Sequence, residues 1–341
     1  MRYRDAGVDV ARADRLKRGI GAAIRATWGP GVRPIPGGFA GVTTWPAADG
    51  ALLAATMDGV GTKLHVAMAA GRVGDAAADL VYHCANDLLV HGARPLAFLD
   101  YVAQARLEPG VIEAVVAGLA RACGDVGAAL LGGETAEMPD TYVAGVVDVA
   151  GCMIGVADPR RLLDGSAVRP GDALLGLASA GLHTNGFSLA RRVLETSGLT
   201  LDSPLPGGAG ETVGEALLAP HRWYGPALTP VIAAGRVHAL AHVTGGGIAG
   251  NVVRILPEGC HARVVARAWA RPALVRWIVE AGAVPEDDAR EALNLGIGMV
   301  LVSAREGKDA LTRDLERAGE RVFAIGEVVS GARGVTWTEG A

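Results

Sequence analysis

Strand-like apolar segments alternate with helical segments along the whole chain of 341 residues, and this alternation is what most constrains the fold. In the first half, strands are predicted at 51–58, 95–107, within 128–140 and at 143–157, and helices at 13–28, 75–91 and 109–123. In the second half, strands are predicted at 173–179, 237–243, 262–266, 295–303 and 321–328. Helices are predicted there at 187–197, 212–218, 224–234, after 247 to about 256, at 272–281 and at 306–318. Because the order is not uniformly strand–helix–strand, we expect two mixed-sheet α/β domains, residues 1–165 and 166–341.

Composition excludes several classes of protein. Hydrophobic residues make up 50% of the chain and charged residues 20%, which is typical of a globular protein. The longest apolar run is broken by Asp148 and the N-terminus has no apolar core, so we expect a cytoplasmic protein without a membrane span. A net charge of −4 gives no support for nucleic-acid binding. The four cysteines form no CxxC pair, so we expect neither a disulfide framework nor a cysteine-based zinc site.

The segment "ATMDGVGTKLHV" (55–66) has the ingredients of an anion site without being a P-loop. A predicted strand delivers Asp58 to its end, and Gly59 and Gly61 allow backbone amides to approach an anion. Lys63 is one of only three lysines among the 32 basic residues. An aspartate beside a phosphate requires a cation between them, so Asp58 is a candidate magnesium ligand. An ordinary tight turn with an exposed Asp and Lys explains this stretch equally well.

The predicted helix at 75–91 carries one polar face. Asp79, His83, Asn86 and Asp87 follow the spacing i, i+4, i+7, i+8, which places them on one side of an otherwise apolar helix. A solvated face would usually mix lysine and glutamate, so we favour a row that faces a site.

Further carboxylates lie beside glycines or in strands. Asp100 interrupts an apolar strand, and a buried carboxylate needs a partner. Glu134 follows Gly132-Gly133 in "GGETAEMPD". With the two earlier aspartates, these residues offer oxygen ligands for an Mg²⁺ ion that bridges nucleotide phosphates. The candidate metal ligands are Asp58, Asp87, Asp100 and Glu134.

Two glycine-rich loops in the second half precede predicted helices. "SAGLHTNGF" places His183, Thr184 and Asn185 where an anion could bind the start of a helix. Thr184 or Asn185 acting simply as the N-cap is the alternative. "HVTGGGIAGN" places Gly245, Gly246 and Gly247 before another helix, and such a costly triplet indicates close backbone approach to a ligand.

Several motifs occur in one order that is known from a single family. They are "YRDAGVDV", "GGFAG", "DGVGTKL", "ND" at 86–87, "GGETAEMPD", "GLHTNGFSLAR", "LLAPHRWY", "HVTGGGIAGNVVRILP" and "LNLGIGMV". The chain thereby resembles, from about residue 3 to residue 329, the phosphoribosylformylglycinamidine cyclo-ligase (AIR synthetase) family of purine biosynthesis. The resemblance implies ATP and Mg²⁺ as cofactors, formylglycinamidine ribonucleotide as substrate, and a homodimer paired through N-terminal ATP-binding domains.

The resemblance also implies roles for the residues above. Asp58, Lys63 and His183 are the expected catalytic residues, with Lys63 neutralising the transferred phosphate and His183 transferring a proton. Thr184, Asn185 and the 245–247 glycines are expected to bind substrate. The expected nucleotide-binding residues are Gly37, Gly38, Gly41, Asp58, Gly59, Gly61, Lys63, Asn86, Asp87, Asp100 and Glu134.

Related enzymes are less well matched. A selenophosphate synthetase is expected to carry a reactive cysteine near the N-terminal glycine-rich loop, and the first cysteine here is Cys84. A hydrogenase-maturation dehydratase is expected to end in a cysteine-containing tail, whereas this chain ends in "WTEGA". A thiamine-phosphate kinase is not expected to combine "GGETAEMPD" with "HVTGGGI". A nucleotide-binding regulator without turnover stays open as a different class of function.

Overall fold

Two β-sheets, one in each half of the chain, organise the residues that the computed structural model describes, which are 32–35, 37–44 and 50–339. The helix predicted at 13–28 and the first motif lie outside these ranges. The N-terminal sheet has the order β1-β2-β5-β3-β4, with only β3 and β4 parallel. Its strands are β1 (Gly41–Thr44), β2 (Leu52–Gly59), β3 (Arg94–Gln104), β4 (Ala129–Glu137) and β5 (Val147–Ala157).

The C-terminal sheet has six strands in the order β11-β8-β10-β6-β9-β7. Only β11 and β8 are parallel. Its strands are β6 (Ala173–Ala178), β7 (Ala239–His242), β8 (Cys260–Val265), β9 (Ile297–Ser303), β10 (Val322–Ser330) and β11 (Gly334–Thr338). The two mixed sheets confirm the predicted α/β class.

Helices pack on both sheets, and none of the described helices is both long and apolar enough to span a membrane. The N-terminal helices are α1 (Lys63–Ala69), α2 (Val73–Leu89) and α3 (Pro109–Val126). The C-terminal helices are α4 (Phe187–Ser197), α5 (Val213–Leu217), α6 (Gly225–Ala233), α7 (Gly247–Val252), α8 (Ala273–Ala281), α9 (Glu286–Ala292) and α10 (Lys308–Arg317).

Helix α2 is the central helix of the N-terminal half. It packs on β2, β5 and β3 and against α3, and 14 of its 17 residues are buried. The helix ends at Leu89, and the turn that follows passes through Gly92, whose φ is +72°. The backbones of α2 and α3 touch where Gly74 faces Gly118, because a Cβ at Gly118 would lie 1.9 Å from the Gly74 carbonyl oxygen.

Replacing Gly118 by alanine is therefore expected to destabilise the protein by about 1–3 kcal/mol, because the two helices must separate to admit the methyl group. Gly124, in the same helix, has open space at its Cβ position. Gly124→Ala is the matched control, and its higher helix propensity should leave stability equal or higher. Urea denaturation of the two variants measures the difference, and equal midpoints would contradict the close crossing.

Strand β1 was not predicted from the sequence, and neither were helix α9 and strand β11. Helix α9 begins after Pro285 with "EDDAREA", and only Ala289 and Ala292 are buried. Strand β11 has five residues and is held in the sheet by parallel pairing with β8. All three are too short and too weakly patterned for periodicity to reveal them.

Candidate active site

The polar row on α2 is buried and faces the C-terminal half. Asp79, His83, Asn86 and Asp87 expose between 0% and 6% of their surface. Each makes a direct hydrogen bond to a residue of the second half. The row is therefore not a solvated face, and its orientation toward a functional site stays a prediction. It lies on one side of the buried seam between the two halves, called here the interdomain cleft, and the loops 183–185, 221–224 and 242–247 lie on the other.

Asp58 and His83 form an ion pair at the edge of this cleft. His83 Nε2 lies 2.9 Å from Asp58 Oδ2, and the Asp58 side chain remains 43% exposed. Burial lowers the pKa of His83, but the hydrogen bond to Asp58 and the charges of Asp87 and Asp58 outweigh burial, and the net pKa is raised. Burial raises the pKa of Asp58, yet His83 and the Gly59 amide reverse this and hold it below its usual value. We infer an imidazolium–carboxylate pair.

His83 also reaches across the cleft. Its Nδ1 lies 2.7 Å from the hydroxyl of Thr184. Asn185 donates from its amide to the same hydroxyl at 3.5 Å. The alternative role as N-cap is wrong for both residues, because α4 is capped by Gly186 in a left-handed conformation. Thr184 is instead fixed to a side chain of the N-terminal half.

Asp87 holds a second histidine. The Nδ1 of His242 lies 2.8 Å from Asp87 Oδ1, and the Nε2 of His242 lies 3.1 Å from the Nε2 of His221. Thr56 donates its hydroxyl to Asp87 Oδ2 at 3.4 Å. Burial lowers the pKa of both histidines, most strongly that of His221. These two imidazoles are therefore neutral at neutral pH.

His183 is held in a strained position at the centre of the cleft. Its φ is +60°, a region that residues other than glycine seldom adopt. Its ring stacks on His221 with a centroid separation of 4.0 Å. Burial lowers the pKa of His183 well below its usual value, and its Nδ1 has no hydrogen-bond partner among the described residues. Gly298 makes room for the ring, because a Cβ there would lie 2.5 Å from His183 Cε1.

Lys63 is placed differently from its predicted role. It is only 1% exposed, and its ammonium forms an ion pair with Asp79. The same ammonium donates to the carbonyl oxygens of His183 at 2.9 Å and Ala219 at 3.5 Å. All of its donors are used by protein oxygens, so contact with a transferred phosphate would first require these bonds to break. In this structure Lys63 ties the two halves together.

Asn86 is likewise used by the protein itself. Its side-chain amide donates to the carbonyl of Arg222 at 2.8 Å and accepts from the amide of Tyr224 at 3.2 Å. Both ends of the side chain are therefore occupied by the 222–224 loop. The structure gives Asn86 the role of positioning that loop, and its contact with nucleotide stays a prediction.

The four predicted metal ligands do not form one cluster. Asp58 and Asp87 lie on either side of His83 Nε2, at 2.9 and 3.8 Å. Asp100 is separated from Asp58 by a full strand, since both pair with Gly151 of β5, which places their backbones roughly 10 Å apart. Glu134 lies on the edge strand β4 opposite Tyr101 and is exposed. The sheet register thus separates Asp100 and Glu134 from Asp58 and Asp87.

The N-terminal glycine-rich loop is fastened to the C-terminal half by Arg254. The guanidinium donates to the carbonyls of Gly37 and Gly38 and stacks on the ring of Phe39 at 3.6 Å. A Cβ at Gly37 would lie 2.9 Å from Arg254 Cβ, so this glycine allows the close approach. Gly41 begins β1, beyond the loop.

The remaining predicted glycines differ in what they face. Gly61 has a φ of +67° and open space at its Cβ position, as a ligand-facing glycine should. The Gly59 amide donates to its neighbour Asp58 at 2.7 Å. Gly246 caps the six-residue α7, and a Cβ at Gly247 would lie 1.8 Å from the Arg290 carbonyl oxygen. Packing accounts for Gly247 without a ligand, whereas Gly245 lies beside Asn185.

Sequence reasoning missed three residues of the site: His221, His242 and Arg254. The two histidines lie within motifs quoted above, "LLAPHRWY" and "HVTGGGI". No pattern in a single sequence shows that they contact the polar row of α2. Arg254 lies among many arginines and has no distinguishing pattern. The periodicity of a sequence cannot predict contacts between residues that are 155 to 217 positions apart.

Two family models match this chain. "AIR synthase related protein, N-terminal domain" matches residues 37–157, and "AIR synthase related protein, C-terminal domain" matches residues 169–338.

Two curated relatives cover nearly the whole chain. A phosphoribosylformylglycinamidine cyclo-ligase of Sorangium cellulosum (strain So ce56) is 46% identical over 96% of this chain and 95% of its own length. The trifunctional purine biosynthetic protein adenosine-3 of Homo sapiens is 42% identical over 98% of this chain, which spans 34% of that longer protein. A solved structure of thiamine-monophosphate kinase from Stenotrophomonas maltophilia K279a has a TM-score of 0.65 with 21% identity, over 98% of this chain and 96% of that one. At that identity the likeness shows the fold alone.

Proposed function

We infer that this chain, which belongs to the AIR synthase related protein family, is a phosphoribosylformylglycinamidine cyclo-ligase of purine biosynthesis. The observation that carries this conclusion is the 46% identity to a cyclo-ligase across 96% of the chain, together with both family domains. The reaction closes the imidazole ring of formylglycinamidine ribonucleotide and consumes ATP.

The chemistry requires activation of a poor leaving group. We propose that the γ-phosphoryl group of ATP is transferred to the formyl amide oxygen of the substrate, which gives an iminophosphate and ADP. The amidine nitrogen then attacks the activated carbon, the C–O bond breaks, and phosphate leaves as the ring loses a proton. The protein contributes positioning and charge neutralisation.

Two carboxylates suit the metal of the nucleotide. Mg²⁺ is commonly held through one or two carboxylates together with substrate phosphates. Asp58 and Asp87 supply two that lie 2.9 and 3.8 Å from His83 Nε2, so a bound ion would take over contacts that His83 makes in this structure. When bound, the ion would neutralise phosphate charge. Asp100 and Glu134 lie too far away across the sheet to bind an ion held by Asp58 and Asp87. We therefore do not assign them as ligands of that ion.

The other residues of the cleft divide the remaining tasks. We assign the Gly37-Gly38 loop, held by Arg254, to covering the nucleotide, and the open backbone at Gly61 to approaching its phosphates. His183 is neutral, and its Nε2 accepts hydrogen bonds from the amides of Ala180 and Arg222, so its own proton lies on Nδ1. It can take up the proton released on ring closure at Nε2 once those two bonds break. The ring is buried, so this role requires the 180–185 loop to move when substrate binds.

The direct test measures ADP release with and without formylglycinamidine ribonucleotide. A cyclo-ligase releases ADP only when that substrate is present and forms aminoimidazole ribonucleotide in equal amount. A nucleotide-binding regulator would release none, and an unrelated ATPase would release ADP without substrate. Either of these outcomes would overturn the assignment.

We also propose that the chain forms a homodimer through its N-terminal sheet. The sheet face opposite the helices exposes 67% of Met57 and 68% of Leu131, with 38% of Leu99 between them. Met57, Cys152 and Leu99 are in register across β2, β5 and β3. An apolar row of this kind on an open sheet is typical of a protein–protein interface.

Replacing Met57 and Leu131 together by glutamate is expected to convert the dimer to monomer, because two pairs of buried like charges would face each other. Light scattering of the purified protein measures the mass. Val116→Glu on α3 is the control, since Val116 is 38% exposed on the helical side. A wild-type monomer, or a double variant that stays dimeric, would contradict the proposal.

A further inference from the structure

Two imidazoles and two carboxylates converge where the cleft opens to solvent. His83 Nε2 lies 2.9 Å from Asp58 Oδ2 and 3.8 Å from Asp87 Oδ2. His242 Nδ1 lies 2.8 Å from Asp87 Oδ1. Single donor atoms of His83, Asp87 and His242 all lie within 4.8 Å of one another. Three donors from α2 and β7 therefore lie around one point, and Asp58 of β2 adjoins them through His83.

Their spacing is close to that of ligands around one metal ion. Donor atoms bonded to a tetrahedral ion at about 2.0–2.2 Å lie roughly 3.3–3.6 Å from each other. The separations of 2.8 Å (His242 Nδ1 to Asp87 Oδ1), 3.8 Å (His83 Nε2 to Asp87 Oδ2) and 2.9 Å (His83 Nε2 to Asp58 Oδ2) bracket that range. Because Asp87 meets the two imidazoles with different oxygens, an ion would bind both oxygens or require the carboxylate to turn, and the exposed Asp58 side chain would have to move inward to join it. The rings of His83 and His242 are inclined by 69° with centroids 4.9 Å apart, which lets both ring planes contain a common point.

The outer nitrogens of both imidazoles are already engaged. His83 Nδ1 lies 2.7 Å from the Thr184 hydroxyl, and His242 Nε2 lies 3.1 Å from His221 Nε2. Metal-binding histidines characteristically donate their other ring N–H to such an acceptor, which fixes the tautomer and the ring orientation. This outer support leaves His83 Nε2 and His242 Nδ1 directed at the carboxylates.

We propose that Asp58, His83, Asp87 and His242 form a binding site for a divalent transition-metal ion of the Zn²⁺ type. Imidazole nitrogen suits Zn²⁺, Co²⁺ and related ions, whereas Mg²⁺ prefers oxygen donors alone. A nucleotide's Mg²⁺ would use the same pair of carboxylates. The two imidazoles beside that pair thus shift its preference from Mg²⁺ to an ion of the Zn²⁺ type. The proposal does not depend on the proposed function, since binding is measured without nucleotide or substrate.

A second group of buried histidines fits less well. His183, His221 and His242 also bring one nitrogen each within 4.8 Å of the others. The rings of His183 and His221, however, stack with an interplanar angle of only 22°. A bound ion must lie near the plane of each ring, and two stacked rings share no such point nearby. His221 is therefore assigned to supporting His242.

Metal binding has a defined proton balance. The proton on His83 Nε2 must leave, because the lone pair there becomes the ligand. On His242 the proton must move from Nδ1 to Nε2, and the Nε2–H then donates a hydrogen bond to His221 Nε2. His221 Nδ1 has no hydrogen-bond partner among the described residues, so His221 can carry its own proton there without losing a bond. Binding is expected to release about one proton when His83 begins as an imidazolium.

The proposal is tested with the full-length protein after removal of metals by a chelator. Co²⁺ is titrated in while the visible absorption is recorded, because tetrahedral Co²⁺ with nitrogen and oxygen ligands absorbs strongly. One Co²⁺ per chain is expected, displaced by an equimolar amount of Zn²⁺ and not by a thousandfold excess of Mg²⁺. His83→Gln and Asp58→Asn are each expected to weaken binding at least tenfold, and His221→Gln to weaken it by a smaller factor.

The matched control is His238→Gln. His238 forms a comparable pair with Asp172 at 2.7 Å, outside the site. This variant is expected to bind Co²⁺ as the wild type does. Asp58 is 43% exposed, so Asp58→Asn tests the site even where a buried histidine variant fails to fold. Absence of stoichiometric binding in the wild type, or equal loss in His238→Gln and Asp58→Asn, would overturn the proposal.

Discussion

Replacing Asp58 by asparagine is expected to lower turnover with Mg²⁺ and ATP by roughly 10²–10³-fold, which is the scale seen when one electrostatic contact to a reacting group is removed. Asp58 is the exposed carboxylate of the pair that flanks His83, so it is the one that incoming nucleotide meets first. Asparagine keeps an oxygen for the Gly59 amide, and the fold should persist. Steady-state kinetics at varied Mg²⁺ measure the effect.

Asp100→Asn is the informative comparison. The sequence places Asp58 and Asp100 in one predicted metal cluster, while the sheet register separates them by a strand. The structure therefore predicts a much smaller loss of turnover for Asp100→Asn. Equal losses in the two variants would show that the four carboxylates act together after all, and unchanged Mg²⁺ dependence in Asp58→Asn would remove Asp58 from the metal site.

Replacing Lys63 by methionine is expected to destabilise the protein by about 3–5 kcal/mol, because the substitution leaves the Asp79 carboxylate buried without its cation. Both side chains are nearly inaccessible, at 1% and 2% exposure. Asp79 would keep only the hydrogen bond from the His221 amide at 2.7 Å. Thermal denaturation measures the loss, which should appear as a marked fall in the melting temperature.

The double variant Lys63→Met with Asp79→Leu separates a structural role from a catalytic one. It removes both charges, so much of the lost stability should return. A stable double variant that turns over normally would establish Lys63 as an interdomain tie only. Arg192→Met is the surface control, since both side chains of the Arg192–Glu195 pair are more than half exposed. Losing this pair is expected to lower the free energy of unfolding by less than about 1 kcal/mol. A Lys63 variant as stable as this control would contradict the buried-pair account.

The sequence was sufficient for the parts of this protein that local patterns encode. Apolar runs and turn residues predicted two mixed-sheet domains, and the spacing of Asp79, His83, Asn86 and Asp87 predicted a polar helix face directed at a site. These features depend on a helical or extended period that is readable within about 20 residues. The resemblance in motif order then pointed to the correct family.

The arrangement of the site was not readable in the same way. Lys63 was expected on a phosphate because a lysine after glycines is typical of such loops, and only the fold shows Asp79 enclosing it. Asp100 and Glu134 were grouped with Asp58 because each lies in a strand or beside glycines, but strand order and register set their distances. His221 and His242 enter the cleft through contacts across the two halves, which no local pattern records.

The central claim is that ring closure proceeds through phosphorylation of the formyl amide oxygen in this interdomain cleft. The most direct measurement uses substrate labelled with ¹⁸O at that oxygen and follows the label by mass spectrometry. The account predicts that each phosphate released carries one ¹⁸O atom and that aminoimidazole ribonucleotide forms in equal amount. Recovery of the label in water, with unlabelled phosphate, would contradict it.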